Sequence, residues 1–470
     1  MSTDKTTSWA QELSQQSGVP VKNIEIAQET VQNFLNMQLK SQINVQDPCN
    51  TKNHGVLKLP EPTEKRDLNI SAFIPAAGAA SRFFKPLNKI IQTIRNADFL
   101  GFSEEWIKVK KFPLPPQVRA LKDKTFFTDS NARSAALAAL DQPKALMPCS
   151  ETSCFLNEKE RELKAYDFIS QTCFVVPLGK QQNFSDALSN KETSFFEQNE
   201  KLSTFRFDEQ GSVIQKDSRP SVAPAGHGAL SALFPDLKSL GHEHLFIQNI
   251  DNLTGSSEAV CTALASLKDQ YAMLFEGICE IRSSIGNHFA DAENTANKII
   301  RALGMSMSDF PKKKSSLDIL FHCIFHRPKG LSFREMASAP VQVLGMVPNK
   351  ANHVGGIPFL WQSNVGLVKI CLEGPHIPDA GKDSMSKHPS YFNPVTVLSE
   401  IQSSTNAFEK TSKDFWFVAD KTFEGKRALY METALYELLS DSRHHNVVFA
   451  ELPEQTFRPH KTLIDCIKQP

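Results

Sequence analysis

The sequence predicts an α/β protein with a mixed sheet flanked by helices, and three observations predict it. Short apolar runs that fit buried strands recur along the 470 residues. Helical stretches lie between several of them, notably 257–303. The first run, Leu68 to Ile74, passes through a small-residue turn into a helical pattern from Arg82 to Arg95, which is a β-turn-α start.

The elements follow in order. Ile24, Ala27, Val31, Phe34/Leu35 and Leu39 recur at helical spacing after Gly18-Val19-Pro20, so the N-terminal segment contains an amphipathic helix. The polar, Pro-containing stretch 46–67 reads as a linker. After the first strand, further strands are expected at Thr172–Val176, Leu245–Ile250, Val341–Val347, Leu367–Cys371, Trp416–Val418 and Asn446–Glu451. The expected division is an N-terminal helical extension and linker (1–67), a main domain (68–400) with a helical insertion at about 83–141, and a C-terminal segment (401–470).

With 40% hydrophobic residues the chain can bury a large core. Its 52 basic and 52 acidic residues cancel, which implies no broad attraction to nucleic acid or to an anionic membrane. No stretch approaches the ~20 apolar residues needed to span a bilayer, and the N-terminus lacks an apolar signal core, so a cytoplasmic protein is expected. Nine scattered cysteines fit reduced thiols better than a disulfide framework. His322-Cys323-x-x-His326 has metal-like residue types but sits in an apolar run, so it reads as core, as do His242-Glu243-His244 and His444-His445.

Four segments carry chemistry. In Phe73-Ile74-Pro75-Ala76-Ala77-Gly78-Ala79-Ala80-Ser81-Arg82, small side chains let backbone N–H groups approach phosphate oxygens at a helix start, and Arg82 can neutralise more of their charge. The same pattern also serves simple close packing. Pro143-Lys144 fixes a lysine beside a proline and suits a point-charge contact to phosphate. In Gly226-His227-Gly228 the glycines admit a flat ligand and the imidazole can hydrogen-bond to it; a flexible turn is the alternative. Gln248-Asn249-Ile250-Asp251-Asn252 ends an apolar strand in polar residues, where Asp251 can hold Mg²⁺ against a triphosphate or merely cap a helix.

Taken in order, these segments resemble the nucleotide-binding half of the UDP-sugar pyrophosphorylase family, the eukaryotic-type UDP-glucose and UDP-N-acetylhexosamine enzymes. Three later segments extend the resemblance: Asn349-Lys350-Ala351-Asn352-His353-Val354-Gly355-Gly356, Tyr391-Phe392-Asn393, and Arg458-Pro459-His460-Lys461-Thr462-Leu463-Ile464-Asp465. The chain also resembles an uncharacterised bacterial family of unknown function. The resemblance implies a Rossmann-like, nucleotide-diphospho-sugar transferase (GT-A-like) fold. It further implies Mg²⁺-dependent transfer of a nucleotide, with UTP expected, onto a sugar 1-phosphate with release of pyrophosphate.

On that basis Ala76, Ala77, Gly78 and Ala79 with Arg82 and Lys144 would grip the phosphates, and Lys461 would steady the α-phosphate or the sugar phosphate. Asp251 would bind the metal, and Gly226, His227 and Gly228 would face the base. Asn249, Lys350, Gly355, Gly356 and Asn393 would line the sugar pocket. Lys85, in Phe84-Lys85-Pro86, rivals Lys144 for the phosphate role. Two other functions are compatible with the pattern: a nucleotide-sugar sensor without turnover, and a glycosyltransferase, against which Asn249-Ile250-Asp251 offers only one carboxylate.

Overall fold

The computed structural model describes residues 4–36, 44–78, 80–188, 193–198, 203–224, 226–311, 314–363, 365–377, 389–402 and 418–467. They form two compact units, each discontinuous in sequence. The first comprises Met1–Ser71, Asn199–Ile247 and Thr262–Glu454; the second comprises Ala72–Gln198, Gln248–Cys261 and Gln455–Pro470.

The first unit is built around a mixed sheet. Its central strand Val341–Pro348 runs antiparallel to Thr396–Glu400 and parallel to Asn446–Glu451, and its end pairs antiparallel with Tyr391–Phe392. Val341, Val343, Leu344, Met346 and Val347 are all buried, the near-continuous apolar run, interrupted by the buried Gln342, of a strand covered on both faces. The strand His244–Gln248 lies beside Thr396–Glu400. A separate antiparallel sheet orders Asn44–Pro48, Ile357–Ser363 and Gly366–Leu372. The expected linker thus opens with an edge strand: Pro48 pairs with Phe359, and Cys49, Val56 and Leu57 are buried. No periodicity announces this, because the pairing partner is some three hundred residues away in the chain.

Helices cover the sheet. Val21–Leu35 buries Ile24, Ile26, Ala27 and Val31 as the N-terminal periodicity requires. The stretch 257–303 is two helices, Glu258–Ser284 and Phe289–Ala302, parted near Gly286. Of the histidines read as core, His242, His244, His326 and His445 are buried, whereas His322 and His444 are only half-buried. His242 Nδ1 lies 2.7 Å from Ser71 Oγ, and His244 Nδ1 lies 2.8 Å from the Tyr271 hydroxyl.

In the second unit, the strand that ends at Pro75 (Ile70–Pro75, of which Ala72 onward belongs to this unit) neighbours Ile169–Pro177, which runs parallel to Thr193–Gln198. The span expected as a helical insertion contains Asn88–Arg95, Phe99–Val109, Lys124–Thr128 and Ser130–Leu140. Asp98, Asp123 and Asp129 accept backbone N–H groups at the starts of the last three, which is why the chain restarts there. Phe83, Leu87, Ile90, Ile94, Phe102, Phe127 and Leu140 form their core. The helix expected from Arg82 to Arg95 is interrupted: Ser81–Phe84 gives way to a 3-10 turn, Lys85–Leu87, before Asn88–Arg95. Pro86 has no N–H to continue the ladder.

All nine cysteines are free thiols, and Cys49, Cys149, Cys173 and Cys371 are buried. Among the described residues no helix is long and apolar enough to cross a membrane.

Candidate functional site

The second unit brings together the phosphate-side candidates. The strand Ile70–Pro75 ends with the Ala76 N–H donating to the Val175 carbonyl at 2.9 Å. From there the chain surfaces: Ala76 is buried, Ala77 half-buried and Gly78 exposed. A Cβ on Gly78 would meet no atom within 4 Å, so packing does not demand a glycine there. Ala79 lies outside the described residues. Ala80 caps the following helix in the left-handed region at φ 47°, ψ 37°, and that helix is only four residues long. So short a helix contributes little macrodipole, and backbone N–H groups are what the turn can offer an anion. Arg82 and Lys85 are both exposed.

The loop after the His244–Gln248 strand lies beside this turn, with the Ile250 N–H donating to the Pro75 carbonyl at 3.4 Å. Asn249 is half-buried, and its carbonyl accepts the Asn252 N–H at 3.2 Å. Asp251 keeps 25% of its side chain exposed, and its Oδ2 receives the Lys144 ammonium at 3.2 Å. Lys144 is not a solvent-facing phosphate lysine in this arrangement, because only 5% of its side chain is exposed. Its ammonium also donates to the His460 carbonyl and lies 5.2 Å and 4.9 Å from the ring centres of Phe83 and Phe155. Burial lowers the Lys144 pKa from its ordinary value, and the Asp251 carboxylate opposes that fall.

The C-terminal segment is stitched to the same loop. The His460 N–H donates to the Asp251 carbonyl at 2.8 Å, the Leu253 N–H to the Arg458 carbonyl at 3.1 Å, and the Arg458 N–H to Asn252 Oδ1 at 2.9 Å. Lys461 follows directly and is exposed. Sequence reading missed the His460 carbonyl and Asn252 as parts of this junction; main-chain contacts leave no side-chain signal.

The other candidates belong to the first unit. Gly226 has φ +78°, and a Cβ there would sit 2.3 Å from the Thr433 carbonyl oxygen. The Gly228 N–H donates to that same oxygen at 2.8 Å. His227 Nδ1 accepts the Leu435 N–H at 2.9 Å, so in the neutral ring the proton sits on Nε2. Beside it Tyr436 donates to Glu373 Oε1, and Glu373 Oε2 would lie 2.5 Å from a Cβ on Gly355. Gly356, at φ +70°, backs onto Asn393.

Asn393 is buried, and its Nδ2 donates to the carbonyls of Gly345 and Thr396 while its Oδ1 accepts the Val395 N–H. Lys350 is exposed and paired with Glu454. Close packing against backbone therefore accounts for Gly226, Gly228 and Gly356, whereas Gly355 faces only the Glu373 carboxylate, and turn formation accounts for the Asn393 side chain.

Magnesium can be tested against the donor set. Among the described residues no group of three or more His, Cys, Asp or Glu side chains is arranged to hold a metal ion. Asp251 is a single, partly exposed carboxylate with one oxygen facing Lys144. Such a donor set does not fit a protein-only cage. It fits an ion that arrives on substrate phosphates and takes one protein carboxylate, the usual magnesium arrangement.

The fold is that of the UDP-glucose pyrophosphorylases. The UDP-glucose phosphorylase of Trypanosoma brucei matches with a TM-score of 0.52 at 13% identity, over 99% of this chain and 78% of that one. Two point mutants of Leishmania major UDP-glucose pyrophosphorylase, each solved with UDP-glucose, match with TM-scores of 0.53 and 0.52 at 11% and 12% identity. They cover 99% of this chain and 78% and 79% of theirs. No curated protein matches by sequence. A family model described as Domain of unknown function (DUF4301) matches residues 176–470, and the chain belongs to that family.

Proposed function

We propose that the protein is a sugar-1-phosphate nucleotidyltransferase, joining a nucleoside triphosphate, UTP being the expected one, to a sugar 1-phosphate with release of pyrophosphate. The observation that carries this reading is the junction of Lys144, Asp251 and the His460–Lys461 segment, which meet although 107 and 316 residues separate Lys144 from its two partners. A core-packing explanation gives no reason for a partly exposed carboxylate there, beside an open turn whose glycine no packing requires. The shared fold supports the same class of chemistry.

In this reading an oxygen of the sugar phosphate attacks the α-phosphorus in line and pyrophosphate leaves. The protein's task is positioning and charge neutralisation. Backbone N–H groups at Ala77 and Gly78 would cradle the leaving phosphates, with the exposed Arg82 and Lys85 as further cations. Lys461 would neutralise the phosphate that reacts. Lys144 takes a narrower role than phosphate contact: it holds the Asp251 carboxylate in one orientation. Asp251 would hold a magnesium ion borne by the triphosphate, and that ion supplies charge neutralisation on the phosphate oxygens. The base and sugar would be met by His227 and by the turns around Lys350, Gly355 and Asn393, with Asn249 also on the sugar side. A cytoplasmic enzyme acting on soluble metabolites, without nucleic acid or membrane, completes the proposal.

The test is pyrophosphate release from UTP and the other three nucleotides against a panel of sugar 1-phosphates, with Asp251→Asn as control. Turnover that Asp251→Asn removes supports the reading; no product from any pair, or full activity in the variant, sinks it. A second reading has one observation in its favour, since Lys144 already occupies an oxygen of the only carboxylate in the loop. It is a nucleotide-sugar binding protein without turnover, which would show calorimetric binding of UDP-glucose and no pyrophosphate.

A further inference from the structure

The helix Phe155–Ala165 turns Phe155, Leu156, Lys159, Glu162 and Leu163 inward, and all five are buried. Two of the five are ionisable. An ion pair in that position carries a desolvation cost that apolar residues of similar volume would avoid, so its partners decide what it is for.

Lys159 has no exposed side-chain surface, and its ammonium is fully used. It donates to Glu162 Oε2 at 2.7 Å, to Gln248 Oε1 at 2.8 Å and to the carbonyl of Asn252. Glu162 passes the contact on, since its Oε1 accepts the Gly255 N–H. One turn further along the chain, the Tyr166 hydroxyl lies 2.7 Å from Thr254 Oγ1. The helix thus grips Gln248, Asn252, Thr254 and Gly255, residues on both sides of Asp251. On its other side Asn252 accepts the Arg458 N–H and donates from Nδ2 to the Thr456 carbonyl at 3.5 Å. Asn252 therefore joins the helix's hold to the segment that leads into Lys461.

We propose that Lys159 and Glu162 are positioning residues that fix the register of the Asp251 loop against the C-terminal segment carrying Lys461. The inference rests on the reading of Asp251 and Lys461 as phosphate-side groups. A polar grip suits this place because the loop presents carbonyls and N–H groups, which apolar side chains could not hold. An error of about 1 Å in such a loop is enough to cost on the order of a hundredfold in rate.

The experiment compares full-length wild type, Lys159→Met and Glu162→Gln by amide hydrogen exchange and by steady-state pyrophosphate release from UTP with glucose 1-phosphate. Exchange in 249–255 and 456–461 should speed up about tenfold or more in Lys159→Met, with 172–177 unchanged as an internal control. The kcat should fall about tenfold or more while KM for UTP moves less than about threefold, the pattern of a misplaced rather than missing contact. Glu162→Gln keeps an acceptor for Gly255 and should show a smaller form of both effects; it carries the measurement if Lys159→Met does not fold.

Unchanged exchange in both segments overturns the proposal. So does a lower melting temperature with kcat and protection intact, which would make the pair an ordinary piece of core. Should wild type release no pyrophosphate, the functional reading fails separately, and the exchange data still decide whether Lys159 couples the two segments.

Discussion

The ammonium of Lys144 lies 3.2 Å from Asp251 Oδ2, and the two side chains differ fivefold in exposure, 5% against 25%. The pair is therefore asymmetric. Removing the carboxylate strands a buried cation, whereas removing the cation leaves a carboxylate that water can reach. Asp251→Ala is expected to cost about 1–3 kcal/mol of stability, discounted from a fully buried pair because Asp251 is partly solvated. Lys144→Met puts an apolar chain of similar length between Phe83 and Phe155 and should cost less than about 1.5 kcal/mol. Chemical denaturation of the two variants orders them. Both should lose pyrophosphate release; a less stable Lys144→Met would refute the asymmetry.

Two glycines that look alike in sequence should behave oppositely. Gly226→Ala forces a Cβ to within 2.3 Å of the Thr433 oxygen at φ +78°, and is expected to cost more than about 2 kcal/mol or to prevent folding. Gly78→Ala meets nothing within 4 Å and should leave stability within about 1 kcal/mol of wild type. If phosphate passes over Gly78, the same methyl group should weaken UTP binding severalfold. Thermal melts and calorimetric UTP titration of the two variants separate a packing glycine from a ligand glycine.

Acid should destabilise the fold through two histidines of the first unit. Burial above all holds His326 down to about 3, with Lys369 adding to it, and burial followed by His444 does the same for His445. Both stay neutral in the folded chain at pH values where the unfolded chain, near 6.5, takes up a proton. The stability they confer is complete above pH 6.5 and is lost as pH falls from there toward 3, at most about 2 kcal/mol for each by pH 5. Urea unfolding at pH 7.5 and pH 5.0 measures it. His326→Asn, which tolerates the left-handed backbone found there (φ 53°), should shrink the difference.

Lys369 should act at the other end of the scale. It is fully buried, donates to the Ile324 carbonyl at 2.7 Å and lies 5.6 Å from the Phe449 ring centre. Burial brings it down to about 8, with the Cys49 thiol opposing weakly. Below pH 8 the fold bears a buried charge that the unfolded chain solvates freely. Between pH 8 and about 10.5 only the unfolded chain keeps that proton, so Lys369 makes stability rise with pH. Lys369→Met should abolish this contribution. Denaturation midpoints for wild type and variant at pH 7.5 and 9.5 test it; identical slopes would refute it.

What the sequence determined by itself is what side-chain patterning encodes. The buried runs at Val341–Val347 and Asn446–Glu451 became strands because apolar residues on both faces can only sit inside a covered sheet. The N-terminal helix followed from its 3.6-residue spacing, and Lys144 and Asp251 were marked by polarity in unusual places.

Only the tertiary structure decided what those residues touch. It turned Lys144 from a candidate phosphate contact into a buried partner of Asp251, because Phe83, Phe155 and the His460 carbonyl come from three other segments. It split the helix after the turn at Pro86 and put the first residues of the supposed linker into an edge strand. It also revealed Lys159 and Glu162, whose signal was a lysine and a glutamate three apart in an otherwise apolar helical stripe. Such a pattern says that a charge is buried but not which backbone satisfies it. Hydrogen-bond partners at long sequence separation are fixed by the packing of whole elements, and no local periodicity records them.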